Sequence, residues 1–449
     1  MAATSDKSIR DVAAEAYLYY YALVENLAQV GRYVSTGVGS NPAAPFNSFS
    51  HAQKLADASD TFVTINNDTV YSMASLDLSV GPLRFDVPAT GDRYFVMQFV
   101  DAWTNNIAYV GTRATGNAAG SFVIVPPGWT GDLPAELARI DAPTMIVAIV
   151  GRYACNGPGD IPNVIALQQQ LSLTPTEPAP PAPSGIPTIG AVADGLEFFE
   201  EARVLSQQFP EVAEDTAYAK RFAPLGVTDD TSPYADPDPE FAAALVDGLA
   251  AGKSKMEAIS HHGNSPVING WTVGMHMFDY NLYALGLGTI DAPEWKMDEE
   301  PELRFALRAV ADRLGLWGNH GYEAVYCQAF TDIDGQPLVG SSTYTMTFRQ
   351  HPPVGAFWSI TMYSIPDYYL VDNPIDRFSI GDRTDGIQYD SDGSLTITIS
   401  HTEPTDPTAR ANWLPAPDDR FRLVFRLYIP QQPIIDGTYA FPPITPAGS

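Results

Sequence analysis

The sequence predicts a mainly β chain with a helical insertion: two antiparallel β-sandwich domains of jelly-roll type plus several helices. Three observations predict it. Between Thr61 and Gly151, and again between Tyr322 and Pro430, short runs rich in Val, Ile, Thr, Tyr and Phe recur about every ten residues, broken by Gly, Pro, Asn and Asp. Between these stretches the apolar period changes to the helical spacing of three or four. The segment Thr174-Pro-Thr-Glu-Pro-Ala-Pro-Pro-Ala-Pro-Ser-Gly reads as an extended linker, because proline fixes φ and removes a backbone donor. The domains so read are 1–173 (helix and first sandwich), 174–320 (linker and helical region) and 321–449 (second sandwich).

In chain order, Val12, Ala16, Tyr19, Leu23, Leu27 and Val30 recur at helical spacing, with Asp11 and Glu15 in the first turns, so a helix is expected over 9–32. Strands are expected over 61–65, 70–76, 83–87, 94–100, 107–111, 121–125 and 144–150. Helices are expected over 192–208, 240–260 and 301–315. In the last stretch two Asp-Gly turns, Asp334-Gly335 and Asp392-Gly393, precede the alternating runs Tyr344–Phe348 and Leu395–Ile399.

The chain has 449 residues, with 25 basic against 53 acidic side chains and a net charge of −28. That charge opposes a phosphate backbone and an anionic membrane surface, which excludes nucleic acid and membranes as partners. Cys155 and Cys327 are too few for a disulfide framework or a thiolate metal cage. The longest apolar stretches, such as Met145 to Val150, fall far short of the roughly 20 residues needed to span a bilayer. No basic and apolar leader is visible, so a soluble cytoplasmic protein is expected, although a chain with its leader removed would read the same.

Most chemical motifs fail on spacing. Gly248-Leu-Ala-Ala-Gly252-Lys253-Ser254 is one residue short of a phosphate-binding loop and reads as a helix end. Asp332-Ile-Asp334-Gly and Asp390-Ser-Asp392-Gly lack the glycine and glutamate positions of a calcium loop. There is no Gly-x-Ser-x-Gly, Ser-x-x-Lys or His-Glu-x-x-His. No two histidines have the spacing that puts two imidazoles on one metal, which leaves only a site assembled from distant positions such as His262, His276 and His320.

Two groups of polar residues are unusual. Asn66-Asn67-Asp68-Thr69 lies between strand-like flanks and runs into Val70-Tyr71, while Gln98 sits inside an apolar strand that ends in Asp101-Ala-Trp103-Thr-Asn105-Asn106. Amides and carboxyls at strand ends beside aromatic rings are what a small polar ligand requires, and they are also what tight turns use. A further cluster spans Trp358 and Tyr363, which have opposite parity in an extended strand, so at most one faces a pocket. Arg377 and Arg383 follow, able to bind a carboxylate or, more often, to satisfy local acids such as Asp376 and Asp382.

These same stretches carry a family resemblance. Asn66-Asn-Asp-Thr-Val-Tyr-Ser, Gly91-Asp-Arg-Tyr, Asp101-Ala-Trp-Thr-Asn-Asn and Val125-Pro-Pro-Gly-Trp-Thr-Gly are similar to the bacterial DUF1254 domain. Ala356-Phe-Trp-Ser-Ile-Thr-Met-Tyr, Asn373 to Arg383, Asn412-Trp-Leu-Pro-Ala-Pro and Arg426-Leu-Tyr-Ile-Pro are similar to the DUF1214 domain that usually follows it. The resemblance implies two jelly-roll-type sandwiches with a helical insertion, and no activity or catalytic set.

The function expected is an enzyme of hydrolase or lyase type acting on a small polar or carboxylated molecule. Asp68 or Asp101 would be the general base. Asn66, Asn67, Tyr71, Gln98, Trp103, Asn106, Trp358 and Arg377 would bind the substrate. The alternatives are a non-catalytic module for a saccharide or similar ligand, and a structural protein that forms a homo-oligomer. The sequence names no cofactor and no metal.

Overall fold

The computed structural model of the chain describes residues 7–261 and 265–447. Helix α1 (Ile9–Ser35) starts where Ser8, in extended backbone, accepts the Asp11 amide on its side chain, capping one free donor of the first turn. Nine strands follow: β1 (Phe49–His51), β2 (Thr69–Asp77), β3 (Leu83–Val87), β4 (Phe95–Asp101), β5 (Asn106–Gly111), β6 (Gly120–Val125), β7 (Ala138–Asp141), β8 (Ile146–Ala154) and β9 (Ser172–Pro175), with the short helix α2 (Ile161–Gln168) before the last. They form a five-stranded sheet, β1-β2-β8-β4-β5, and a four-stranded sheet, β7-β6-β3-β9.

The five-stranded sheet is buried on both faces. Phe95, Met97 and Phe99 of β4 share a cluster with Leu83 and Phe85 of β3 and Phe122 and Ile124 of β6. Met73, Val100, Ala148 and Val150 face the other way, onto Tyr20, Leu23 and Leu27 of α1. Two covered faces explain why these strands read as nearly continuous apolar runs.

The middle of the chain carries α3 (Glu197–Gln208), α4 (Thr216–Ala219), α5 (Pro239–His261) and α6 (Pro301–Gly315), with the short strands β10 (Val267–Ile268) and β11 (Trp271–Val273) before α6. The segment resembling a phosphate loop lies inside α5, not at its end, and its glycines have a packing use. A Cβ added at Gly248 would meet that of Ala13 at 2.5 Å, and one at Gly252 would meet that of Tyr17 at 2.8 Å, so the missing side chains let α5 lie against α1. No described helix is long and apolar enough to cross a membrane.

The final part contains β12 (Ala324–Ala329), β13 (Tyr344–Phe348), β14 (Trp358–Ser364), β15 (Ser379–Gly381), β16 (Leu395–Ser400), α7 (Pro407–Ala411), β17 (Trp413–Pro415), β18 (Phe421–Tyr428), α8 (Gln432–Ile435) and β19 (Thr445–Pro446). The sheets here are six-stranded, β10-β11-β12-β18-β14-β15, and four-stranded, β17-β16-β13-β19. Among the described residues the fold is mostly sheet with several helices, and none of the four sheets closes on itself. All strand pairings among the described residues are antiparallel except β6 with β7 and β16 with β17.

The six-stranded sheet is two-sided. Val325, Cys327, Leu423, Phe425, Leu427, Ile360 and Met362 share a core with Met346, Phe348, Ile397 and Ile399 of the four-stranded sheet. Directly paired residues share a face, so Tyr326, Arg426 and Ser359 lie on the opposite side with Tyr363 and Arg422. Residues 61–65, expected as a strand, instead form an irregular strap across this polar face. The strap pairs with no strand because its carbonyls are taken by side chains of the sheet beneath: Tyr363 Oη donates to the Ile65 carbonyl at 2.6 Å and Arg426 Nη2 to that of Thr64 at 2.8 Å. Cys155 and Cys327 are both free and buried.

Candidate functional site

The turn before β2 is built by Asn66, whose Oδ1 accepts the Thr69 amide at 3.2 Å while its Nδ2 donates to the Thr69 hydroxyl at 2.8 Å. This lays Asn67 and Asp68 along the edge of the polar face. Asp68 is 5% exposed. Ser359 Oγ of β14 donates to its Oδ2, and Tyr428 Oη of β18 donates to its Oδ1 at 3.1 Å. Asn67 bridges likewise, donating to the Ala56 carbonyl and accepting from Ser379 Oγ of β15 at 3.2 Å.

These contacts form the floor of a cleft of about 850 Å³. One wall is made by residues 54–59, 67–68, 155–158 and 161, the other by 358–359, 372, 375–379, 381 and 383–385. Arg383 closes the junction: Nη2 donates to the Asp68 carbonyl at 2.9 Å, Nη1 to Asn156 Oδ1 at 3.2 Å, and the guanidinium lies 3.5 Å from the centroid of the Phe357 ring. Burial lowers the pKa of Arg383 against the opposing pull of Asp68 and Asp382. Arg377 lines the cleft and donates to the carbonyls of Ala411 and Trp413, both at 2.9 Å. Neither arginine forms an ion pair within 4.0 Å among the described residues, so the expectation that local acids would satisfy them is corrected: carbonyls and a side-chain amide do so, because both guanidiniums reach backbone of other segments.

The cleft thus brings together Asn67, Asp68, Trp358 and Arg377. Trp358 is 2% exposed and stacks on Phe348 at 4.5 Å, while Tyr363 faces the opposite side, as their parity requires. Tyr71 lies outside it, beneath Arg152 at 5.4 Å, beside a separate cavity of about 40 Å³.

The second polar group lies elsewhere and is spent on structure. Asp101 is fully buried. Its Oδ1 accepts the amides of Trp103 at 2.9 Å and Asn105 at 2.8 Å, and its Oδ2 accepts Asn105 Nδ2 at 2.9 Å. Burial pushes its pKa up to about 6, and those hydrogen bonds limit the rise. Gln98 Nε2 and Asn106 Nδ2 both donate to the Gly318 carbonyl, at 2.9 and 3.0 Å, and Arg152 donates to Gln98 Oε1 at 2.7 Å. Trp103 donates to the Phe209 carbonyl at 2.9 Å and packs on Tyr19 and Tyr20. Together these residues dock the end of the β4–β5 hairpin onto the helices and the 316–320 loop.

Of the distant histidines, His276 pairs with Asp279 at 2.7 Å, and His320 Nδ1 lies 2.9 Å from both Tyr109 Oη and Tyr322 Oη. Burial drives the pKa of His320 down to about 3. His262 lies outside the described residues. Among the described residues no three His, Cys, Asp or Glu side chains are grouped so as to hold a metal.

Ser359, Ser379 and Tyr428 were not singled out by the sequence. One signal for Tyr428 was present: the alternation Arg422, Val424, Arg426, Tyr428 within β18 puts two charges and a phenol on one side of an otherwise apolar strand.

Fold and cleft define a two-domain, mostly β protein with an opening on the seam between domains. A family model described as a protein of unknown function, DUF1254, matches residues 46–175, and a second of the same description, DUF1214, matches 323–432. The chain belongs to this DUF1254/DUF1214 two-domain family, and the cleft walls come one from each matched domain. The crystal structure of the VPA0106 protein from Vibrio parahaemolyticus has the same fold, with 23% identity, a TM-score of 0.70, and coverage of 98% of this chain and 100% of that one. A putative uncharacterized protein from Burkholderia cenocepacia aligns at a TM-score of 0.45 and 11% identity over 97% of this chain and 88% of its own. No curated protein matches the chain.

Proposed function

We propose that the seam cleft binds a small polar molecule and that Asp68 is the group that exchanges a proton with it, the reading of an enzyme of hydrolase or lyase type. The observation that carries this is Asp68 itself. It is a carboxyl group of one domain on the floor of the cleft, held in place by two hydroxyls of the other, Ser359 and Tyr428. Two donors leave acceptor capacity on a group that can take four. Asn67, fixed from both domains, supplies an oriented amide beside it.

The lining favours a neutral or cationic ligand. Asp57, Asp68, Asp372, Asp376 and Asp385 face three bases, of which Lys54 is bound to Asp57 at 2.6 Å and Arg377 to carbonyls. A saccharide module draws less support, since the two aromatic side chains in the lining, Trp358 and Phe378, are 2% and 6% exposed and offer no face for stacking. Within the same reading, the apolar faces that β3 and β6 share with β4, and β13 and β16 with β18, are taken as face-to-face sandwiches. A cytoplasmic setting, with Cys155 and Cys327 reduced, also belongs to it.

The test is calorimetric titration of the full chain with hydroxylated and amino-bearing small molecules, followed by mass analysis of any that bind. A ligand lost in Asp68→Asn and in Asn67→Ala supports the cleft, and a changed mass supports chemistry. Binding that survives both substitutions overturns the assignment.

A further inference from the structure

Arg422 and Arg426, four residues apart on one face of β18, are 1% and 2% exposed. Burying a guanidinium is costly without a counter-ion; of the other buried arginines, Arg203 is 2.8 Å from Glu200 and Arg304 is 3.0 Å from Asp215, while Arg152 and Arg308 donate to an amide and to backbone carbonyls that are not shared with a second arginine. Among the described residues Arg422 and Arg426 have none within 4.0 Å. Asp68 lies within electrostatic reach of Arg426 but forms no ion pair with it within 4.0 Å.

Instead, both arginines converge on one residue of the strap. Arg422 Nη2 donates to Thr64 Oγ1, and Arg426 Nη2 donates to the Thr64 carbonyl at 2.8 Å. The remaining partners are neutral: Gln328 Oε1 for Arg422 at 2.7 Å, and Thr361 Oγ1 and Tyr363 Oη for Arg426 at 2.8 and 2.7 Å. Arg422 Nε is buried with no partner among the described residues. Thr64 has φ +58, a left-handed conformation that a β-branched residue adopts only under constraint. Two like charges therefore meet at two oxygens of a single strained residue, the pattern of donors that two guanidiniums offer to a carboxylate or phosphate.

We propose that Arg422 and Arg426 form a binding site for an oxyanion, carboxylate or phosphate, and that the 61–65 strap occupies it in the resting chain with the two oxygens of Thr64. The strap is thin cover, since Thr61 is exposed and 62–65 are half-buried, and Ser59 and Asn67, two residues beyond it on either side, line the cleft. An oxyanion that displaced Thr64 would relieve its backbone strain and give the arginines the charge they lack. The site stands on the arginine pair and the strap, independently of what the cleft binds.

The test uses the full chain at constant ionic strength, titrated calorimetrically with inorganic phosphate and, separately, with acetate. Thr64→Ala removes one competing oxygen and keeps the strained φ, so it binds the anion about tenfold more tightly than the parent. Adding Arg426→Gln to Thr64→Ala abolishes that binding. Should the double variant fail to fold, hydrogen exchange replaces it: phosphate or acetate then speeds exchange of the 61–65 amides in the parent chain. Response to phosphate alone, or to acetate alone, identifies the class. Asp68→Asn removes cleft ligands and leaves this binding in place, which separates the two sites. A folded Thr64→Ala variant that binds neither anion, or anion binding that leaves strap exchange unchanged, overturns the proposal and makes the strap a permanent clamp.

Discussion

Two groups of short polar side chains look alike in this sequence and do opposite things in the fold. Asp101, at the end of β4, spends its carboxyl on the amides of Trp103 and Asn105 and on the Asn105 side chain, inside one hairpin end. Asp68, at the start of β2, is reached by hydroxyls that lie 291 and 360 residues away in sequence, on β14 and β18. The local group closes on itself and is covered by helices. The long-range group stays open to a cleft, because nothing in its own turn satisfies it. Where the donors come from thus separates a structural carboxyl from a candidate reactive one.

The largest expected effect is on the closed group. Asp101→Ala strands three buried donors and costs roughly 3 kcal/mol or more of stability, measured by urea unfolding. A loss below about 1 kcal/mol would mean that the Asp101 carboxyl is no more structural than that of Asp68.

Next comes the pH dependence of the neighbouring Asp312, on α6, which accepts from Thr104 Oγ1 at 3.0 Å. Burial pushes its pKa up to about 8, against the opposing charge of Arg308, and that of Asp101 up to about 6. A carboxyl raised above its unfolded value of about 3.9 contributes stability that is complete below that pH and is lost as pH rises through the folded pKa. Between pH 5 and 8 the parent chain should therefore lose stability relative to Asp312→Asn, by roughly 3 to 4 kcal/mol. A difference between the two proteins that does not change with pH contradicts this.

The open group responds less. Asp68→Asn is expected to cost about 1 kcal/mol in the same unfolding measurement, because its two hydroxyl partners can turn to other acceptors or to water in the cleft. Ser359→Ala should cost still less, about 0.5 kcal/mol. A loss at Asp68 as large as that at Asp101 would show that both carboxyls are structural.

Much of the fold was legible in residue patterns. The α1 period, the run Leu83–Val87 and the helix Pro301–Gly315 emerge where local spacing places them, because each buries an apolar stripe or face against its neighbours. The strap misled for a physical reason: Thr61-Phe-Val-Thr-Ile has strand composition, but its hydrogen-bond partners are arginine and tyrosine side chains some 300 residues further on. Asn67, Asp68, Trp358 and Arg377 reach the cleft, while Gln98, Trp103 and Asn106 do not. Their chemistry is the same, and only the identity of the covering element differs.

By itself the sequence determined the mostly β class, the helical interruption, the family and the two polar groups, since these follow from period, turn chemistry and motif. Tertiary structure alone decided which polar group faces a cleft, that Arg422 and Arg426 meet at Thr64, and that Gly248 and Gly252 are a helix contact. Those outcomes depend on which surfaces come to lie against each other, and hydrogen bonds or contacts between residues so far apart in the chain leave no local signature in composition or spacing.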